Sequence, residues 1–380
     1  MPLSNPFTPA FGGKPQHFFG RRDELALSRE ALDNEFSPHR ALFVTANRGF
    51  GKTTLLEKMS EQAAAARWVT VDVHPTDASR SIIMSLQGGS ARSERRELRP
   101  QGLGVSVGGS ATAVSSEYVP SDLPQVLVGR LRGLTLHRGV FISVDEAQKL
   151  AEADAEPICS AVQMALRKGL PAMLVLAGLP GAKERIASFA GCTFMWRTRD
   201  IKLGSLHVDE TREAFTKMFA ITSDIIVQDD ALEAAVQMSK GHPYLVQLAG
   251  YHAVELVRER YGDAARQLTR DIVRAIEPLV LQAYGRDVLK PAFAPLRGNT
   301  VGYLRALSRC MDDEGKASTS EIAAQLGKTT TQCSMYRERL LERRLIVPAG
   351  RGFVRFGLPY CPQYFDDVDA IGDASSEWRY

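Results

Sequence analysis

The residues best equipped for chemistry fall in two short stretches roughly ninety positions apart. The first, Ala46-Asn-Arg-Gly-Phe-Gly-Lys52-Thr53-Thr54, follows the apolar run Ala41–Thr45 and leads into a helical pattern from Thr53. A buried strand, a glycine-bearing turn and a Lys-Thr pair at a helix start are what a phosphate-binding P-loop requires. Gly49 and Gly51 let backbone N–H groups converge on a phosphate where a side chain would block close approach. Lys52 supplies positive charge for the β- and γ-phosphates of ATP and Thr53 a hydroxyl for Mg²⁺, with Asn47, Arg48, Phe50 and Thr54 completing the loop's nucleotide contacts. The loop departs from GxxxxGK[ST] at its first glycine, replaced by Ala46, so the turn must be entered there without a positive φ.

The second stretch is Gly139-Val-Phe-Ile-Ser-Val-Asp145-Glu146. An apolar run of this length ending in two carboxylates fits a strand buried on both faces, its C-terminal end at the ligand. Asp145 is placed to hold Mg²⁺ with Thr53, and Glu146 to act as general base on the attacking water. Alone, such a strand end is common; downstream of a P-loop it predicts an ATP site.

The elements that must position these groups follow from patterning. Apolar strands near 41–45, 68–73, 140–145 and 172–177 alternate with helical segments, which predicts an α/β fold with a parallel sheet covered on both faces. Residues 88–120, rich in Gly and Ser with Arg92, Arg95, Arg96 and Arg99, interrupt this core either as a solvated loop or as an arm that contacts DNA or a partner. The core is expected over 1–203, an all-α lid over 204–285 and an acidic tail over 366–380.

Between these last two, over 286–365, three short amphipathic helices are followed by two strands around Ala349–Gly352, the pattern of a winged helix-turn-helix. From Lys328 to Arg355 there are seven Lys or Arg and two acids, Glu338 and Glu342. Lys328, Gln332, Arg337, Arg351 and Arg355 are the candidate contacts to double-stranded DNA. A winged unit used for protein contacts is the alternative.

Composition narrows the class. The 380 residues suffice for two or three domains, and 47 basic against 44 acidic residues leave any nucleic-acid binding to a local patch. Five dispersed cysteines without ligand spacing argue against a disulfide framework or zinc site and for a reducing compartment. There is no secretion-signal pattern and no apolar run near the roughly 18 residues of a membrane span, so a cytoplasmic protein is expected.

Taken together, these motifs resemble the AAA+ ATPases of the origin-recognition-like group and the related STAND-type prokaryotic ATPases, from about Asn5 to Phe365. Asn5–Pro9 with Phe19–Leu25 is similar to the family's opening box, which implies Gly20 and Arg21 beside the adenine ring. Met173–Pro180 corresponds to the strand bearing the first sensor, usually Asn, Ser or Thr, and carries no such residue. Trp196–Leu206 resembles the segment that presents an arginine at a subunit edge. Arg197 or Arg199 is then either a finger completing a neighbour's site in a homo-oligomer or a solvated strand-end residue. Gly241-His242-Pro243 is similar to the lid turn of STAND-type members, which implies His242 and Pro243 near the nucleotide; a plain helix-starting turn is the alternative. The resemblance implies slow hydrolysis of ATP to ADP and phosphate, with Lys52, Thr53, Asp145 and Glu146 carrying it. Three roles stay open: a nucleotide-dependent DNA-binding switch, a signalling ATPase whose winged unit serves autoinhibition or assembly, and a nucleotide-binding subunit without turnover.

Overall fold

Strands with two buried faces form the centre of the protein, and their alternation explains why. Within β1 (Ala41–Thr45), Leu42 and Val44 join the core on one face and Phe43 the core on the other. The structure is a computed structural model and describes residues 5–10, 17–87, 122–222, 224–261 and 266–366. The expected insert at 88–120 and the tail beyond Asp366 lie outside the described residues.

The chain runs from α1 (Arg22–Asp33) through β1, α2 (Lys52–Ala65), β2 (Trp68–Val73) and α3 (Ala78–Gln87) to α4 (Leu123–Arg132). It continues through β3 (Gly139–Val144), α5 (Glu152–Arg167), β4 (Ala172–Gly178), α6 (Ala182–Ala187) and β5 (Arg199–Lys202). These strands make one parallel sheet in the order β2-β3-β4-β1-β5. β3 and β4 are buried along their whole length, whereas the edge strands expose part of theirs. Because β4 lies between β1 and β3, its last residue, Gly178, separates the P-loop from the paired carboxylates. That crevice at the C-terminal strand ends is where parallel sheets bind ligands.

β5 lies outside the strands that the apolar patterning predicts. Only Ile201 of Arg199-Asp-Ile-Lys202 is buried, so this edge strand presents no apolar run to read.

The following helices are α7 (Val208–Ile221), α8 (Asp229–Ser239), α9 (Pro243–Tyr261) and α10 (Arg270–Tyr284). They do not form the expected all-α lid, because β6 (Ile225–Val227) and β7 (Arg266–Leu268) pair in parallel between them. Strands of three residues are too short for a period to register, and an Asp224–Arg266 ion pair pins them together. The N-terminal segment straps this unit: Phe7, 1% exposed, lies 5.0 Å from Phe219 with the two rings tilted, and fills the hollow over Gly250, where a Cβ would meet its ring at 2.1 Å. Burying such a ring contributes roughly 1.5–3 kcal/mol.

A wide π-type turn at Gly285–Leu289 leads into α11 (Lys290–Phe293) and α12 (Asn299–Arg309). Then come β8 (Ala317–Ser318), α13 (Thr319–Gln325), α14 (Thr330–Glu342), β9 (Ile346–Pro348) and β10 (Phe353–Phe356). The three strands form an antiparallel sheet in the order β8-β10-β9, one strand more than the sequence pattern suggests. Thr329 and Gln332 cap α14 reciprocally, each accepting a backbone N–H from the other, which fixes where this helix starts. The core of this unit is continuous with that of the helical unit and one face of the large sheet.

Candidate functional site

The P-loop links β1 to α2 and folds back over its own lysine. Ala46, fully buried and absent from the positive-φ residues, donates its N–H to Gly178 O at 3.3 Å. Gly49 and Gly51 take φ of 80° and 82°. At Gly51 a Cβ would meet nothing, so conformation alone calls for glycine there. At Gly49 a Cβ would lie 2.6 Å from His242 Cε1, so packing adds a second reason.

Lys52 is 7% exposed, and its Nζ donates to Ala46 O at 3.0 Å and Asn47 O at 3.1 Å. Burial lowers its pKa, while Glu146 and Asp145 oppose that shift. The Thr53 hydroxyl donates to Asp145 Oδ2, and Asp145 Oδ1 accepts the Glu146 N–H at 2.7 Å. Glu146 has φ of 52°, a left-handed conformation that turns the chain sharply at the end of β3. A hydroxyl and a carboxylate meeting below a glycine-rich loop form a hard, oxygen-only pair suited to Mg²⁺. No cluster of three or more metal-ligating His, Cys, Asp or Glu occurs among the described residues, so the remaining ligands for Mg²⁺ would come from phosphate and water.

A cavity of about 500 Å³ brings together Arg21, Arg48, Gly49, Phe50, Gly51, Lys52, Thr53, Thr54, Asp145, Glu146 and Pro243. Its size lies within the usual range for small-molecule sites. Arg21 is held by its Nη2, which donates to Gly204 O at 2.5 Å. Burial depresses its pKa, against the pull of Glu24 and Glu210.

Gly20 does not reach the cavity: it packs against the start of α7, where a Cβ would lie 2.8 Å from Leu206 Cδ2. The Asn47 side chain points away from the cavity and donates to Arg344 O at 2.9 Å, tying the P-loop to the C-terminal unit. For His242 the sequence leaves two readings open, a place near the nucleotide and a plain helix-starting turn. The residue is 0% exposed beneath the loop, 4.3 Å from the Phe50 ring and 5.1 Å edge-on from Tyr284. Burial lowers its pKa to about 3, opposed by the nearby Arg48 backbone, although neither ring nitrogen reaches hydrogen-bond geometry. It is a packing residue under the P-loop rather than a residue lining the cavity.

Sequence reasoning missed several lining residues, among them Lys149, Tyr244, Gln247 and Asp287. The Tyr244 hydroxyl donates to Asp287 Oδ2 at 2.8 Å. Arg286 and Tyr244 hold the Asp287 carboxyl below its ordinary pKa. Tyr244 adjoins a residue the sequence singled out; Asp287, in a helical turn far along the chain, carried no local signal.

Arg197 and Arg199 are exposed at the β5 edge, outside this cavity and without an ion-pair partner among the described residues. In the C-terminal unit Arg351 and Arg355 are exposed, and Lys328 lies 6.0 Å over the Tyr336 ring. Gln332 spends its carbonyl on the helix cap. Arg337 is half-buried, with Nε enclosed and unpartnered, close enough to Tyr303 to influence its hydroxyl, so it does not belong to the exposed face as expected. A larger cleft of about 1320 Å³ separates the three units. Lys202, Lys240, Arg270, Arg274, Arg344 and Arg355 line it, with Glu277 and Glu314 as its only carboxylates among the described residues.

Residues 17–176 match the AAA ATPase domain, and residues 286–365 match a domain of unknown function (DUF8462). No curated protein matches the chain. The Aeropyrum pernix ORC2 protein in its ADPNP–ADP complexes is 14% identical, with 97% of this chain and 98% of that one covered and a TM-score of 0.61. Its ADP form is 16% identical over 96% and 97%, with a TM-score of 0.52. The two proteins share a fold over nearly their whole lengths. Among the described residues no helix is long and apolar enough to cross a membrane.

Proposed function

We propose, from the premise of an AAA ATPase domain at residues 17–176, that this protein binds and slowly hydrolyses ATP and uses the nucleotide to position its C-terminal unit on duplex DNA. One observation carries the nucleotide reading: the Thr53 hydroxyl meets the Asp145 carboxylate, with Lys52 and Glu146 lining the same cavity. Thr53 and Asp145 would hold Mg²⁺, whose charge offsets that of the phosphates. Lys52 neutralises the β- and γ-phosphates. Glu146 accepts the proton of a water whose oxygen bonds to the γ-phosphorus, while the bond to the bridging oxygen breaks and its electron pair leaves with ADP. Arg197 or Arg199 would complete the site of a neighbouring subunit.

The C-terminal unit is read as a winged helix-turn-helix with Arg351 and Arg355 on its wing, Lys328 and Gln332 at the start of α14, and Arg337 in a supporting place. The excess of cations over carboxylates in the large cleft favours a polyanion such as DNA. The A. pernix ORC2 structures, which hold ADPNP and ADP, support the nucleotide half of this reading. Duplex DNA binding at stepped salt with ATP or ADP tests the other half. A log–log slope of about −0.9 per phosphate contact, differing in affinity between nucleotides, is expected. Absence of binding at low salt with either nucleotide counts against DNA. It would favour a signalling ATPase, for which the Asn47–Arg344 bond between P-loop and C-terminal unit is the supporting observation.

A further inference from the structure

The end of β4 is bare. Gly178 closes that strand between the P-loop and the Asp145–Glu146 pair, and no polar side chain stands there. The space is nevertheless filled with polar atoms. A Cβ on Gly178 would lie 2.8 Å from Ala182 Cβ, 3.2 Å from Gln148 Oε1 and 3.5 Å from Gln148 N. The carboxamide of Gln148, carried on the short turn Ala147–Lys149 after β3, therefore occupies the place that a side chain from β4 would take.

Both ends of that carboxamide are engaged. Its Oε1 accepts the N–H of Leu179, the residue following β4, at 3.0 Å, and its Nε2 donates to Glu146 Oε2 at 2.7 Å. An amide has one accepting and one donating end, so the bond to Leu179 dictates which end faces Glu146. The backbone beneath is fixed as well, because Arg185 Nη1 donates to Gln148 O at 3.1 Å and Leu150 O at 3.0 Å. Lys149 Nζ also approaches Glu146 Oε2, at 3.4 Å, but as an exposed pair that adds little orientation. Both contacts fall on Oε2. Among the described residues no donor reaches Oε1, so that oxygen is the one left for a water.

We propose that Gln148 is the positioning residue for Glu146. Anchored on the Leu179 N–H, it holds Glu146 Oε2 so that Oε1 takes the proton of the attacking water, supplying from the turn after β3 the polar group that β4 lacks. This rests on Glu146 being the general base.

The test compares steady-state turnover and ATP affinity in wild type, Gln148→Ala, Gln148→Glu, Glu146→Gln and the Glu146→Gln/Gln148→Ala double variant. Gln148→Glu still accepts from Leu179 N–H but offers Glu146 no donor, so it separates positioning from support of the loop. Both Gln148 variants should lose about tenfold to a hundredfold in kcat, since misplacement of about 1 Å can cost that much, while ATP affinity stays within about twofold. In the Glu146→Gln background Gln148→Ala should cost nothing further, because the base it positions is gone. The inference is overturned if Gln148→Glu turns over like wild type while Glu146→Gln is slow. It is equally overturned if the two losses multiply in the double variant, or if both Gln148 variants lose ATP affinity, which marks a structural role. Wild-type turnover in Glu146→Gln itself would overturn the general-base reading and this inference with it.

Discussion

Acid should loosen the P-loop through one residue, His242. Its ring is fully buried between Phe50 and Tyr284, and Gly49 leaves no room for it to move upward. Burial lowers its folded-state pKa from 6.5 to about 3. A histidine with a depressed folded-state pKa stays neutral in the folded protein and charges first in the unfolded chain. Its contribution is therefore fully present above the unfolded value of 6.5 and is lost as pH falls toward 3. Each pH unit in that window costs about 1.4 kcal/mol, which gives about 2 kcal/mol at pH 5. Urea unfolding at pH 7.5 and pH 5 of wild type and His242→Phe isolates the effect, because every other titrating group is common to both proteins. The wild type should lose about 2 kcal/mol more than the variant over that interval. Equal losses in the two proteins would show that His242 is solvated or already paired, and would refute its place beneath the loop.

Other consequences follow from the same geometry. Lys52→Ala removes a buried cation and its two bonds to Ala46 and Asn47, so isothermal titration should find no ATP binding; near-normal affinity would sink the site. If Arg197 or Arg199 acts on a neighbour, an Arg197→Ala/Arg199→Ala subunit and a Lys52→Ala subunit, each inactive alone, should regain ATP turnover when mixed. No recovery in a mixture shown to oligomerise argues against the finger. Replacing the exposed Arg351 and Arg355 by Ala should flatten the salt dependence of DNA binding by about one log–log unit per lost phosphate contact, with ATP binding intact. An unchanged slope would take Arg351 and Arg355 away from the DNA.

What could be read in the sequence, and what could not, follows from the length scale of each signal. The strands β1, β3 and β4 announce themselves because both faces are buried, and β1 and β3 lead into residues of strong chemical character. The parallel sheet they build was legible on that account, and residues 17–176 match the AAA ATPase domain. β5, with one buried residue in four, and the three-residue strands β6 and β7 carry too little pattern for periodicity to register, so the sequence reads as purely helical over 204–285. Within the site, residues near a motif were found. Asp287, brought in by packing from another unit, was not. The side-chain partners of Asn47 and His242 were not legible for a related reason. A motif fixes where a residue stands on the chain, but the partner that claims its side chain, Arg344 O or the Phe50 and Tyr284 rings, comes from elsewhere in the fold.

The central claim is that the cavity under the P-loop turns over ATP with Glu146 as its base. Steady-state phosphate release by wild type and Glu146→Gln, alongside ATP affinity for each, tests it most directly. The amide keeps the size and the polar contact of the carboxylate but cannot take a proton. Turnover should fall about 10²–10⁴-fold while affinity is retained. Phosphate release at the same rate from both proteins, or none from wild type that binds ATP, would contradict the account.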